Sequence, residues 1–195
     1  MAFIITYLPV LLAAFAAMVL FVFRNWRWNI LAISLQYVAV FWLVLTVWPT
    51  GLAAVKLVSG WMAVAVLGSS IPEIDSSTSR ISADLPEIRF RVILGLILWL
   101  IVFAITPAAG TFLPVASPLL IGGILIIGFG LITVGMASEP MRIIFGLLSV
   151  FSGFEIIYAA LESSVMVAGF LSMITLGIAL VGAYLMNQTM DGNQS

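Results

Sequence analysis

The sequence predicts an all-α integral membrane protein with about seven transmembrane helices, and three observations carry that class. Hydrophobic residues make up 64% of the chain and charged residues only 8%, against about a quarter charged in soluble domains. The apolar residues gather into long runs separated by short polar breaks, and the loop arginines fall on one side of the resulting topology. A soluble chain of 195 residues would leave much of this apolar surface in water, whereas a bilayer accepts apolar side chains on the outside as well as within.

A span needs roughly 20 mostly apolar residues to cross about 30 Å of hydrocarbon, and it must be helical because lipid satisfies no backbone hydrogen bonds. The whole chain, 1–195, reads as one membrane domain with spans at about 3–23, 28–48, 51–70, 90–106, 118–137, 141–161 and 165–187. The first run has no positive residue ahead of it and no clean cleavage signal, so it is expected to be a retained span. Trp48-Pro49-Thr50-Gly51 is a turn, Ser138-Glu139-Pro140 stops one helix and starts the next, and Glu162-Ser163-Ser164 can cap the last. The stretch from Thr106 to Pro118, with three prolines and a glycine, is expected to be an irregular external loop, with a short re-entrant piece as the alternative. Six tryptophans suit interfacial belts.

Orientation follows from the cationic residues, which collect in short cytoplasmic loops. Arg24 and Arg27 lie between spans 1 and 2, Arg80, Arg89 and Arg91 between spans 3 and 4, and Arg142 begins span 6. With seven spans all of these share one face, which puts the amino terminus outside and the carboxyl terminus in the cytoplasm. The polar segment 71–89 is then a cytoplasmic loop. Together with Phe90 and Arg91 it reads either as a solvated connector or as a docking strip for a peripheral cytoplasmic subunit.

Several function classes are disfavoured. The net charge of −1 supplies no basic stripe for nucleic acid. With no cysteine and no histidine, zinc, iron–sulfur and haem sites lack their usual ligands, and no cofactor is expected. No cluster of nucleophile, base and orienting group points to a soluble-type enzyme.

Ionisable side chains inside a span are costly and are functional candidates by default. Lys56 lies six residues after Thr50, and Glu155 six before Leu161. At 1.5 Å per residue both sit roughly 9 Å inside the same boundary, so direct pairing is the expected arrangement. Lys56 has an alternative in snorkelling to the interface; the shorter Glu155 must be protonated, hydrogen-bonded or paired. Ser149, Ser152 and Tyr158 lie within two turns of Glu155, and Gln36 is polar at mid-span in helix 2. These residues are candidates for an ion path or for interhelical hydrogen bonding.

The run IGGILIIGFGLITVG, Ile121 to Gly135, predicts close helix approach. Its small residues exceed what one neighbour in a small bundle needs, so a broad face is expected to be covered by another protein chain. RWNILAISLQY from Arg27 can be laid on RIIFGLLSVFS from Arg142, with Ser34 on Ser149 and Lys56 near Leu171. This suggests two related three-helix units plus one linking helix.

The hairpins around FRNWRWNILAISLQ and GMASEPMRIIFGLLSVFSGFE, the lysine in the third helix and the run Ile144 to Gly146 resemble component E of hydrogenase-4 and formate hydrogenlyase complexes. That component is itself similar to subunit K of respiratory complex I. Where the family carries an acidic residue about five positions after that glycine, this chain has Phe151, and its glutamate comes later, at Glu155. The resemblance implies a membrane-arm subunit in a bacterial or archaeal cytoplasmic membrane, beside proton- or sodium-pumping antiporter-like subunits, with redox centres on other chains. A stand-alone small transporter or channel, and a structural or assembly subunit of another respiratory or photosynthetic complex, are the alternatives.

Overall fold

The computed structural model describes residues 2–70 and 85–191. They form seven helices, α1 (Ala2–Val22), α2 (Trp26–Val44), α3 (Thr50–Ser69), α4 (Leu85–Phe112), α5 (Ser117–Gly135), α6 (Pro140–Leu161) and α7 (Val165–Asp191). Helices α2 to α7 are long and apolar enough to cross a membrane, and the described side chains of α1 continue that character. The chain is an all-α protein of multi-pass membrane type. Residues 71–84, which hold Arg80 and most of the suggested docking strip, lie outside the described residues.

Local chemistry sets the helix boundaries. The Asn25 side chain caps α2 by accepting the Arg27 backbone N–H at 3.1 Å. Proline stands at the first or second position of α5 and α6, where its missing N–H costs nothing. Helix α2 ends at Val44 rather than near Trp48. The Thr46 hydroxyl takes the Leu43 carbonyl at 2.7 Å, and Pro49 disfavours helical backbone at the residue before it.

Helix α4 runs beyond the expected fourth span, 90–106, at both ends. Its polar start is helical from Leu85 because Glu87 occupies the first turn and pairs with Arg91 one turn on, at 2.8 Å. At the other end the expected irregular loop is helix up to Phe112, with Pro107 inside it. Thr106 and Thr111 on either side of it donate their hydroxyls to the Val102 and Ala108 carbonyls, both at 2.7 Å.

The helices form two facing rows, α1–α2–α3 and α5–α6–α7, in which α1 packs on α5, α2 on α6 and α3 on α7. Helix α4 leans on α1 and α5 from outside; only 17% of its span is buried, against 56% for α5 and for α6. The two rows share their spacing. Helix α5 starts 115 residues after α1 (117 against 2), α6 starts 114 after α2 (140 against 26), and α7 starts 115 after α3 (165 against 50). That register agrees with laying Arg27 on Arg142. It also fits two three-helix units joined by α4.

The rows enclose two compartments. One lies among α1, α2, α5 and α6 and is filled by Phe21, Leu43, Leu125, Ile126 and Ile156. The other lies among α2, α3, α6 and α7 and is filled by Ile33, Tyr37, Leu67, Phe145 and Leu148. Glycine brings the α5 and α6 backbones together. A Cβ at Gly123 or Gly153 would press on the other's carbonyl oxygen, and the same holds for Gly130 and Gly146. Gly122 is filled by Leu43 and Gly128 by Leu98. These four glycines of α5 are therefore used by this chain's own helices, while Gly135 meets nothing within 4 Å.

Candidate functional site

The second compartment holds the only ion pair that the described residues bury on both sides. Lys56 Nζ donates to Glu155 Oε1 at 2.7 Å, and each side chain is 1% exposed. The stripe Ala53, Lys56, Ser59, Gly60, Ala63 and Leu67 puts the lysine on the buried face of α3, with the helical spacing that keeps i, i+3 and i+4 together. Glu155 stands on the stripe Leu148, Ser149, Ser152, Glu155, Ile156 and Ala159 of α6. The bond therefore crosses the compartment diagonally, from α3 to α6. Lys56 does not snorkel.

Other elements complete the surroundings. The Thr175 hydroxyl of α7 is shared between its own Leu171 carbonyl at 3.1 Å and Glu155 Oε1 at 3.4 Å. Deeper along α6, Gln36 Nε2 donates to the hydroxyls of Ser152 at 2.9 Å and Ser149 at 3.1 Å. The Ser149 hydroxyl donates back to Gln36 Oε1 at 3.2 Å, and that of Ser152 donates to the Ser149 carbonyl at 2.9 Å. The Tyr37 ring fills the space left by Gly60, and its hydroxyl is buried without a hydrogen-bond partner among the described residues.

Five of the six sequence candidates thus stand in two hydrogen-bonded groups, Lys56 with Glu155 and Gln36 with Ser149 and Ser152. Tyr158 is placed differently. Its ring packs on Phe154 with centroids 5.9 Å apart, in an aromatic row with Phe151, and the half-exposed Phe154 turns that row outward. The buried stripe of α6 continues from Glu155 through Ile156 and Ala159, and Tyr158 stands on its flank. Tyr37 and Thr175 were missed, although each had a signal. Tyr37 adjoins Gln36, and Thr175 lies one turn beyond Leu171, the position laid on Lys56.

A second charged group ties the ends of α1, α4 and α6 together. Arg91 Nη1 and Arg142 Nη2 both donate to the Phe21 carbonyl, at 2.9 and 3.1 Å. Arg24 reaches Glu139 at 3.0 Å and Glu87 at 3.5 Å, and its hydrogen bond to Glu139 holds its guanidinium above the ordinary arginine value. Sequence reading treated Arg91 and Arg142 as loop charges, but each is 4% exposed. At the opposite end the Trp48 indole donates to the Glu162 carbonyl at 3.1 Å.

The buried pair lies in apolar surroundings, where a charge and its partner are each costly alone and a hydrogen-bonded pair is tolerated. Chemically it can hold one proton in a short nitrogen-to-oxygen bond. No group of three or more acidic, histidine or cysteine side chains suited to a metal occurs among the described residues. Comparison of the chain with family models, with characterised proteins and with solved structures finds no match.

Proposed function

We propose that the chain is a non-redox integral subunit of an ion-translocating membrane assembly of the complex I or membrane-bound hydrogenase type, seated beside antiporter-like subunits. The observation that carries the reading is the buried Lys56–Glu155 bond, because ionisable pairs inside spans mark ion routes or their electrostatic control. The hairpin resemblance supplies the kind of assembly. In that role a proton moving from Lys56 Nζ to Glu155 Oε1 converts an ionic pair into a neutral one with no change in net charge. An ion arriving in an adjoining subunit then biases the pair through its field, which is strong where water is absent. The arginine end faces the cytoplasm under this reading.

A second reading, a packing or assembly subunit, is favoured by the closure of the pair. Both side chains are buried and bonded within this chain, and no partner is needed to satisfy them. Purification from its native membrane in mild detergent, followed by identification of co-migrating chains, tests both readings. Antiporter-like partners, together with loss of ion translocation in an assembled Glu155→Gln variant, are expected. Assembly with unchanged translocation supports the packing reading. A chain that migrates alone contradicts both and returns the stand-alone transporter.

A further inference from the structure

The α1–α2 turn and the first turns of α4 and α6 carry Arg24, Arg27, Arg89, Arg91 and Arg142 against Glu87 and Glu139. Their balance is positive. Arg142 adds to it from within, since its Nη1 is buried with no partner among the described residues. Arg27 and Arg89 are exposed; Arg24, with 31% of its side chain exposed, is the partly exposed member that joins α4 and α6, through Glu87 and Glu139. Its two ion pairs leave further N–H donors free to take an anion from the membrane surface.

One helical turn below Arg91, about 6 Å along α4, an open apolar groove begins at Gly95. It has a volume of about 260 Å³ and is lined by Leu11, Phe15 and Met18 of α1, Gly95 and Trp99 of α4, and Phe129 of α5. The groove is narrow because Gly95 lacks a side chain; a Cβ there would meet Met18 and Phe129. It runs along the helices from the arginine layer toward mid-span. A positive, partly exposed guanidinium at headgroup depth above an apolar furrow has the chemistry of a phospholipid site.

We propose that this junction binds one anionic phospholipid of the leaflet at the arginine end, with its phosphate on Arg24 and one acyl chain in the α1–α4–α5 groove. A zwitterionic lipid presents the same chain, but its ammonium offsets the phosphate in the field of the surrounding guanidinium groups. The anionic headgroup is therefore selected. The site rests on membrane insertion alone and is independent of any partner subunit.

Trp99 reports on the groove directly. The full-length protein in phosphatidylcholine vesicles is titrated with phosphatidylglycerol brominated on its acyl chains, and in parallel with brominated phosphatidylcholine. The Trp99 signal is the difference between the unmodified protein and Trp99→Phe. Half-quenching is expected at a roughly five-fold lower fraction of the anionic lipid, from about 1 kcal/mol for one basic residue near the surface. The preference should fall in about 1 M salt, where the screening length is roughly 3 Å. It should also be lost in Arg24→Gln and largely kept in Arg24→Lys. If Arg24→Gln fails to fold, the salt titration of the unmodified protein answers the same question. Equal quenching by the two lipids overturns the proposal and leaves ordinary boundary lipid. So does a preference that survives high salt, or one that remains undiminished in Trp99→Phe.

Discussion

Arg91 and Arg142 converge on one backbone atom, the Phe21 carbonyl oxygen, at 2.9 and 3.1 Å. The last carbonyls of a helix have no partner within it, so two guanidinium groups from α4 and α6 do for α1 what solvent would do at an exposed end. Either arginine alone keeps the carbonyl satisfied. Replacing both by methionine should therefore destabilise the bundle by about 1–3 kcal/mol more than the two single replacements summed, the cost of an orphaned buried acceptor. Thermal unfolding in detergent measures the excess, and plain additivity would show that the shared carbonyl is not limiting.

Gly60 and Gly51 stand on the same helix in opposite surroundings. A Cβ at Gly60 collides with the Tyr37 ring, while at Gly51 it meets nothing within 4 Å. Gly60→Ala is expected to cost about 1–3 kcal/mol through overpacking, whereas Gly51→Ala should be neutral or mildly stabilising as an ordinary helix substitution. Equal effects in an unfolding assay would contradict the packing of α2 on α3.

The Gln36 group predicts a coupling confined to two helices. Gln36→Leu should cost about 1–2 kcal/mol, because it strips bonds from the Ser149 and Ser152 hydroxyls while leaving each able to turn to a carbonyl of its own helix. A cycle with Ser149→Ala should show non-additivity of about half a kcal/mol or more. The cycle is the check, and strict additivity would separate the two residues energetically.

Topology is accessible to single introduced cysteines. Arg24, Glu87, Arg91, Glu139 and Arg142 meet at one end of the bundle, and Trp48 meets Glu162 at the other. Labels at Asn25 and Ala137 should react from one side of the membrane, and a label at Ser163 from the opposite side, with the first side cytoplasmic. A cytoplasmic label at Ser163 would reverse the orientation, and labels at Asn25 and Ala137 on different sides would break the bundle.

The fold class was legible because composition and the length of apolar runs leave few alternatives, and arginine placement alone anticipated the charged end. Edges were less so. The polar start of α4 and Pro107 near its end both read as breaks, since the Glu87–Arg91 pair and the Thr106 hydroxyl bond exist only once the helix has formed. At the site, equal depth of Lys56 and Glu155 followed from counting residues inward from Thr50 and Leu161. Their angular match did not, because an uncertain boundary of one or two residues rotates a helical side chain by a large part of a turn. Tyr158 illustrates the same point, being near Glu155 in sequence and on the flank of the buried stripe. The use of the α5 glycines against α6 depended on which helix lay opposite, and pattern along one strand of sequence carries no such information.

The central claim is that Lys56 and Glu155 stabilise the bundle as one unit, and a double-mutant cycle tests it most directly. The 2.7 Å bond lies between two side chains that are each 1% exposed, so removing one partner strands the other in apolar surroundings at a cost of about 3–5 kcal/mol. Lys56→Met and Glu155→Leu should each lower the unfolding midpoint of the detergent-solubilised protein sharply. The double variant, which strands neither charge, should recover much of the loss, giving a coupling of about 2 kcal/mol or more. A double variant no more stable than the sum of the two single losses predicts, with coupling indistinguishable from zero, would contradict the pair as the organising contact of α3 and α6.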